Sequence, residues 1–333
     1  MVNGLCIVLT VRMGSERLPN KAMANVAGKP LTYWIIERLR DTGVIILATT
    51  KSTKDDVLAH LGTEIGIPVF RGSEDDVIGR VEGAVQAFYP QARYVMRGLG
   101  DCPFHATEIV ERACRVMSKY DADGFVWSLR PHTWPVYGTR EFPFSRRGWG
   151  IIVERAIVRE HIDVYFHEHR HDFSVVYHEP PPAVYFRPYR LEVDWPEDLE
   201  LIRKVAEGVG MLAPLLDILA FLDQHQDIAE LNRERVERTG PSTYNYEVKR
   251  AWMKAMRGQA IVGWDNKVWD VPSKEALPVF CSSGQCLLGL GDKGTLYMKD
   301  ARITGDAWID CKCGPGGGLR WRDSADAIAW SRR

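Results

Sequence analysis

The sequence predicts an α/β fold over residues 1–239, a mostly parallel sheet with helices on both faces, in the Rossmann-like manner. A helical connector at 240–259 and a small β-rich module at 260–333 follow. Three observations carry this. Continuous apolar runs such as Leu5-Cys6-Ile7-Val8-Leu9 and Val44-Ile45-Ile46-Leu47-Ala48 suit strands buried on both faces. Between such runs, apolar residues recur at helical spacing, and strands alternating with helices argue for parallel crossovers. The composition then changes: residues 261–333 hold five of the 11 tryptophans and ten of the 29 glycines, but none of the nine histidines.

Taken in order, Leu31, Trp34, Ile35 and Leu39 mark the first helix after the first strand. A charged helix at 55–65 follows the second strand, then a short strand at 68–70, a helix at 75–88 and a strand at 94–96. A helix at 106–119 and a strand at 124–127 continue the alternation. Later, the alternation of Leu191 and Val193 predicts another strand. Pro196 sits where a first helical residue would, with Leu199, Ile202 and Ala206 on one helical face. In the tail, 246–256 reads as a basic helix. Short strands are expected at 260–263, 267–270, 279–281, 295–298, 307–310 and 319–322, with Gly-Asp-Lys-Gly at 291–294 as a hairpin turn.

The 43 Lys+Arg balance 44 Asp+Glu, which gives no electrostatic case for binding nucleic acid or a membrane surface. A hydrophobic share of 45% is far above that of a disordered chain. No apolar run reaches the ~20 residues of a membrane span. The first residues lead straight into a strand, so no signal peptide and a cytoplasmic location are expected. Seven cysteines in a chain this long do not form a disulfide framework.

Ligands of parallel sheets bind at the carboxyl ends of the strands. The loop after the first strand carries Arg12, Gly14, Ser15, Arg17 and Lys21. Three cations around a Gly-Ser turn suit a polyphosphate, since Arg grips two oxygens and Lys adds a mobile charge. The bland alternative is a solvated basic turn. Asp101, between Gly100 and Cys102-Pro103, is a carboxylate just past a buried strand and a candidate ligand for Mg²⁺, its alternative being a helix cap. Asp194 is a second carboxylate, at the junction into the helix that Pro196 opens.

These segments occur together in a recognisable order. Arg-Met-Gly-Ser-x-Arg-Leu-Pro-x-Lys at 12–21, Arg71-Gly-Ser-Glu-Asp-Asp76, Gly-Asp-Cys-Pro at 100–103, Arg159-Glu-His161 and Val-Asp-x-Pro-Glu-Asp-Leu-Glu at 193–200 stand in register. The set resembles the cytidylyltransferases related to CMP-KDO synthetase, in the branch of spore-coat polysaccharide biosynthesis protein F, over residues 5 to about 235. The resemblance implies a nucleotidyl transfer that couples a nucleoside triphosphate, CTP favoured, to a small anionic sugar-like acceptor with release of pyrophosphate. It implies Arg12 and Lys21 on the triphosphate with Arg17 helping, Asp101 and Asp194 on Mg²⁺, and Thr10, Thr49, Arg71 and Ser73 where the family reads base and ribose. Arg140, Glu160, His161 and Trp195 would face the acceptor, and a homodimer is expected.

The chain departs from that branch at several positions. Glu16 replaces a small hydroxyl residue, and unless it points outward or pairs with Arg17 it lowers the positive potential of the loop. Asn20 replaces Gly. Trp195 replaces Thr before Pro196, removing a capping hydroxyl worth ~1 kcal/mol, a loss that Asp194 or water would make good. Arg140 and Phe142 stand where acidic residues are usual, and an added Arg favours an anionic acceptor. His167, His169 and His171 alternate, which on a strand would put three imidazoles on one face, but Glu168, Arg170 and Asp172 interleave and favour an exposed polar segment. In the tail, Cys281, Cys286, Cys311 and Cys313 are a candidate Zn²⁺ tetrad, with ordinary thiols as the alternative. Other readings of the body are a guanylyl- or other sugar-1-phosphate nucleotidyltransferase, a related glycosyltransferase (which would carry Asp-x-Asp), and a catalytically degenerate binding module.

Overall fold

The computed structural model describes residues 1–127, 136, 138–139, 143–178 and 189–235, together with short strands between 260 and 303. The chain forms two compact units: Met1–Phe125, Val136–Val175 and Tyr189–Thr239 make the first, and Val126–Pro135, Val176–Pro188 and Gly240–Arg333 the second.

The first unit runs β1 (Leu5–Thr10), β2 (Asn25–Val26), β3 (Lys29–Pro30), α1 (Leu31–Leu39), β4 (Val44–Thr50), α2 (Asp56–Glu64), β5 (Val69–Gly72), α3 (Val77–Phe88), β6 (Tyr94–Leu99), α4 (Thr107–Tyr120) and β7 (Gly124–Trp127). It continues with β8 (Pro143–Ser145), α5 (Arg146–Arg155), α6 (Ile162–Glu168), α7 (Pro196–Gly208), α8 (Leu215–Gln224) and α9 (Gln226–Ala229), while β7 and β9 (Val175–His178) begin in this unit and run on into the second. Its sheet runs β7-β8-β6-β1-β4-β5. β1 is central, all six residues buried, with parallel neighbours on both sides: Leu9 opposes Leu47 of β4 and Gly98 of β6. β4 and β5 are also parallel, whereas β8 runs antiparallel to β6 and β7. The expected parallel sheet is therefore present, with β8 as an antiparallel insert.

Apolar side chains of α1, α3 and α4 close the core against this sheet, among them Ile35, Ile36, Val81, Val85, Ile109 and Ala113, all buried. At about 25 cal/mol per Å² of apolar area removed from water, such faces supply the main favourable free energy of folding. Burial pushes the thiols of Cys6 and Cys114 up to about 12, so both are neutral core residues rather than nucleophiles. Among the described residues, no helix is long and apolar enough to cross a membrane.

One expectation needs correction. Residues 191–194 form no strand, because the Val193 N–H goes to the Asp101 carbonyl at 2.8 Å and the Val193 carbonyl accepts from Lys21 Nζ at 2.9 Å, leaving no ladder to extend. The disfavoured arrangement of three imidazoles on one strand face is not met, since the histidine-rich stretch falls on α6 and a 3₁₀ turn at Arg170–Asp172. His169 stacks on Tyr165 there, and His171 lies 3.3 Å from Asp172.

In the second unit, Tyr177 and His178 pair in parallel with Ile261 and Val262 of β10 (Ala260–Val262), which pairs antiparallel with β11 (Val268–Asp270). β12 (Leu277–Phe280), β13 (Leu287–Leu290), β14 (Leu296–Met298) and β15 (Ala301–Ile303) form an antiparallel meander. The hairpin turn expected of Gly-Asp-Lys-Gly at 291–294 lies outside the described residues. The connector helix expected at 246–256 and the strands expected at 307–310 and 319–322 lie outside the described residues.

Candidate active site

The loop after β1 is held from beneath. Met13 N–H donates to Asp55 Oδ1 at 2.8 Å, and Asp55 Oδ2 accepts from Thr49 Oγ1, Thr50 N–H and Thr50 Oγ1. Burial pushes the Asp55 carboxyl up, but these four donors outweigh it and hold the group below the usual carboxylate range. A permanent anion therefore ties the loop to the end of β4. At the far end of the loop Asn20 adopts the left-handed conformation, φ 61° and ψ 18°. Glycine meets no steric penalty in that conformation, and asparagine is among the side chains that tolerate it best. Gly100 at the end of β6 is a second backbone requirement. A Cβ there would lie 2.6 Å from Val11 Cγ2 and 2.9 Å from the Thr10 carbonyl, so only glycine lets the two strand ends approach.

Lys21, delivered just after Asn20, reaches three acceptors: Asp101 Oδ2 at 3.0 Å, Asp194 Oδ1 at 2.9 Å and the Val193 carbonyl at 2.9 Å. Arg17 adds a 2.7 Å bond to the same Asp194 oxygen. The other oxygen of Asp194 accepts from Arg190 at 2.8 Å, and Arg190, 1% exposed, also bonds Asp198 Oδ1 at 3.2 Å. Asp198 Oδ2 in turn accepts from the Asp194 and Trp195 backbone N–H groups, both at 2.9 Å. Asp198, three residues into the turn, therefore does the capping expected of Asp194 or water, reaching back as in half of a capping box. Asn232 completes the network on Asp198 Oδ1. Burial pushes Asp194 up, yet the charges of Lys21, Arg17 and Arg190 win and hold it below the usual carboxylate range. Burial likewise lowers Lys21, and the two aspartates outweigh it and raise it.

Asp101, Glu192 and Asp194 offer carboxylate oxygens within 4.8 Å of one another. Hard oxygen donors in this number suit Mg²⁺. Glu192 went unassigned in the sequence, although its position two residues before Asp194 was a readable sign.

A cleft of about 500 Å³ opens over this end of the sheet. Of the predicted residues it is lined by Thr10, Arg12, Gly14, Ser15, Arg17, Lys21 and Asp101, and also by Glu160 and His161 from the loop before α6. That second loop is brought in by an ion pair between two sequence motifs. Arg159 Nε bonds Asp76 Oδ1 at 2.9 Å, the same oxygen that caps α3 through Gly79 N–H at 2.7 Å. Glu16 is exposed at the rim and Arg17 turns to Asp194 instead.

Other predicted residues sit elsewhere. Thr49 is buried against Asp55. Arg71 clamps the loop after β4, bonding the Thr50 and Ser52 carbonyls and Asp56. Ser73 Oγ accepts from Asp76 N–H. Trp195 lies against guanidinium groups, Arg235 at 4.1 Å and Arg17 at 5.7 Å from its ring centroid. Arg140 and the four tail cysteines lie outside the described residues. Arg80 and Arg97 also line the cleft and were missed, although an arginine inside the apolar run of β6 was the available signal.

A profile described as Cytidylyltransferase matches residues 5–213. The chain is 25% identical over 240 residues to spore coat polysaccharide biosynthesis protein SpsF of Bacillus subtilis, covering 68% of this chain and 98% of that one. It is 30% identical over 115 residues to a 3-deoxy-manno-octulosonate cytidylyltransferase of Anaeromyxobacter dehalogenans, covering 34% of this chain and 47% of that one. Among solved structures, one from Leptospira borgpetersenii, called a cytidylyltransferase, superposes with a TM-score of 0.62 at 22% identity, over 68% of this chain and 97% of the other. That likeness shows the fold.

Proposed function

This chain belongs to the cytidylyltransferase family, and from that premise we propose that it transfers the cytidylyl group of CTP to a small anionic sugar-like acceptor. The acceptor oxygen bonds the α-phosphorus as the bond to the β-phosphate oxygen breaks. Pyrophosphate leaves with the bonding electron pair, and the acceptor hydroxyl gives up its proton to solvent. Such a reaction needs charge neutralised and reactants aligned, with no covalent protein intermediate.

The observation that carries this reading is the convergence of Lys21 on Asp101 and Asp194 at the mouth of a cleft. Asp101, Glu192 and Asp194 would hold Mg²⁺, which when bound supplies positive charge to phosphate oxygens and lowers the pKa of a coordinated hydroxyl. In this reading Lys21 and Arg17 exchange their carboxylate partners for phosphate oxygens as nucleotide enters, releasing the carboxylates for the metal. Arg12 closes on the phosphates from the rim. Glu160 and His161 face the acceptor, which ties acceptor choice to the Asp76–Arg159 pair.

Pyrophosphate release by the full chain, with CTP, UTP, GTP and ATP against sugar acids, sugar phosphates and phosphonates, tests the proposal. CTP-dependent release that needs Mg²⁺ and one acceptor class is expected. Equal release from GTP would overturn the choice of base. Tight CTP binding with no turnover on any acceptor would favour a degenerate binding module.

A further inference from the structure

The cations of the cleft are not in one electrostatic state. Lys21 and Arg17 are matched by Asp101 and Asp194, and Arg12 pairs with Glu74 at 3.1 Å on the exposed rim. Arg80 and Arg97 line the same cleft, and among the described residues neither pairs with a carboxylate. Their bonds go to neutral oxygens: Arg80 Nη1 to the Ser73 carbonyl at 2.6 Å, and Arg97 Nε to Thr10 Oγ1 at 2.9 Å. These bonds orient the guanidinium groups without neutralising them.

Arg80 is 4% exposed, and its Nε is buried with no hydrogen-bond partner. Asp55, the nearby buried acid, already accepts from Met13, Thr49 and Thr50. Burial and the like charges of Arg97 and Arg12 act against the charged form of Arg80 and outweigh the nearby acids Asp55 and Glu74. A guanidinium does not shed its proton in a protein, so this charge waits for an anion.

We propose that Arg80 and Arg97, with Arg12 at the rim, form an oxyanion subsite of the cleft that takes a phosphate-type group and is separate from the Lys21–Asp194 pairing. The proposal rests on the cytidylyltransferase reading, in which such a group has two sources: the terminal phosphates of CTP or an anionic substituent of the acceptor. Arg offers the planar pair of donors that phosphate oxygens fit. The Ser73 bond fixes the guanidinium of Arg80 while leaving Nε to donate.

The test is calorimetric titration of the full chain with inorganic pyrophosphate, inorganic phosphate, CMP and CTP in Mg²⁺ buffer. Wild type, Arg80→Gln, Arg97→Gln and Arg80→Lys are compared, with circular dichroism to check folding. Pyrophosphate affinity should fall at least about tenfold in each Gln variant, the scale of one charge-assisted contact, and Arg80→Lys should restore part of it. A parallel loss for CTP, with CMP little changed, assigns the subsite to the nucleotide's terminal phosphates. Unchanged CTP with lost phosphate or pyrophosphate binding assigns it to the acceptor's anion. If every ligand binds both Gln variants as it binds wild type, the proposal is overturned and Arg80 is only a clamp on the loop at Ser73. If Arg80→Gln does not fold, Arg97→Gln decides. A wild type that binds pyrophosphate through Arg80 but does not bind CTP would sink the cytidylyl reading and leave the subsite standing.

Discussion

Two ends of one cleft show opposite ways of holding charge. At the Asp194 end every charge has a direct partner: Lys21, Arg17 and Arg190 divide the two oxygens of Asp194, and Asp198 fixes the backbone behind it. At the Arg80 end the guanidinium groups of Arg80 and Arg97 bond carbonyl and hydroxyl oxygens, and the carboxylate of Glu74 is held by Arg12 at the rim. The first arrangement stores cations beside the acids they will exchange for phosphate. The second is preset for an anion from outside. Near-neutral net charge, −1 over the whole chain, conceals both.

The comparison is broken most severely at Arg190. Arg190→Met keeps the volume but takes the cation from one oxygen of Asp194 and from Asp198, whose side chains are 6% and 0% exposed. Removing one partner of a buried pair costs about 3–5 kcal/mol. Urea denaturation should show that loss, and a cost below about 1 kcal/mol would mean the network is not holding the acids. Next comes Lys21→Ala. In the exchange reading it removes a donor to the phosphates and should lower kcat/KM for CTP about 10²–10³-fold, the usual cost of one transition-state donor. Because it also frees Asp101 and Asp194, Mg²⁺ affinity measured without nucleotide should rise in this variant. Weaker Mg²⁺ binding would contradict the exchange.

Protonation breaks the balance more gently. Asp194 is held below its unfolded value of roughly 3.9. Its contribution is therefore complete above that value and is lost as pH falls through the depressed folded value. Lys21 is raised above its unfolded value of roughly 10.4, so its contribution is complete below that value and is lost only as pH rises through the raised folded value. Between about pH 5 and 9 neither group should make stability vary. The stability gap between wild type and Asp194→Asn, measured by urea denaturation at pH 7 and pH 3, should shrink at pH 3. An equal gap would show that the ionised carboxylate is not what the network stabilises.

The Asp194 end was far more legible in the sequence than the Arg80 end, for a physical reason. Asp101 stands beside Gly100 just past β6, and Lys21 and Asp194 lie two residues from Pro19 and Pro196 in loops, where chemistry is visible one residue at a time. Arg97 sits inside an apolar run and Arg80 on a buried helical face, so their charges read as interruptions of a pattern. The buried strands β1 and β4 were equally clear from continuous apolar runs. Residues 191–194 misled because the same apolar alternation serves a segment whose backbone groups are consumed by Asp101 and Lys21. For Arg71 and Thr49 strand-end position did not say which way the side chain turns: Arg71 bonds Thr50, Ser52 and Asp56, and Thr49 bonds Asp55.

The smallest expected effect lies at Asn20, the residue that aims Lys21 at the acids. Its φ of 61° is a conformation that Cβ-bearing residues disfavour by roughly 1–2 kcal/mol, with asparagine relieved in part by local polar contacts of its short side chain. Asn20→Ala should therefore cost about 1 kcal/mol of stability, and Asn20→Gly should be neutral within about 0.5 kcal/mol, since relief of the left-handed strain offsets the larger chain entropy lost by glycine. Activity separates the two ends of the cleft. If the turn serves only to deliver Lys21, Asn20→Ala should weaken CTP turnover while pyrophosphate binding at Arg80 and Arg97 stays as in wild type. Loss of both together would show that the loop after β1 moves as one piece and that the two ends are mechanically coupled.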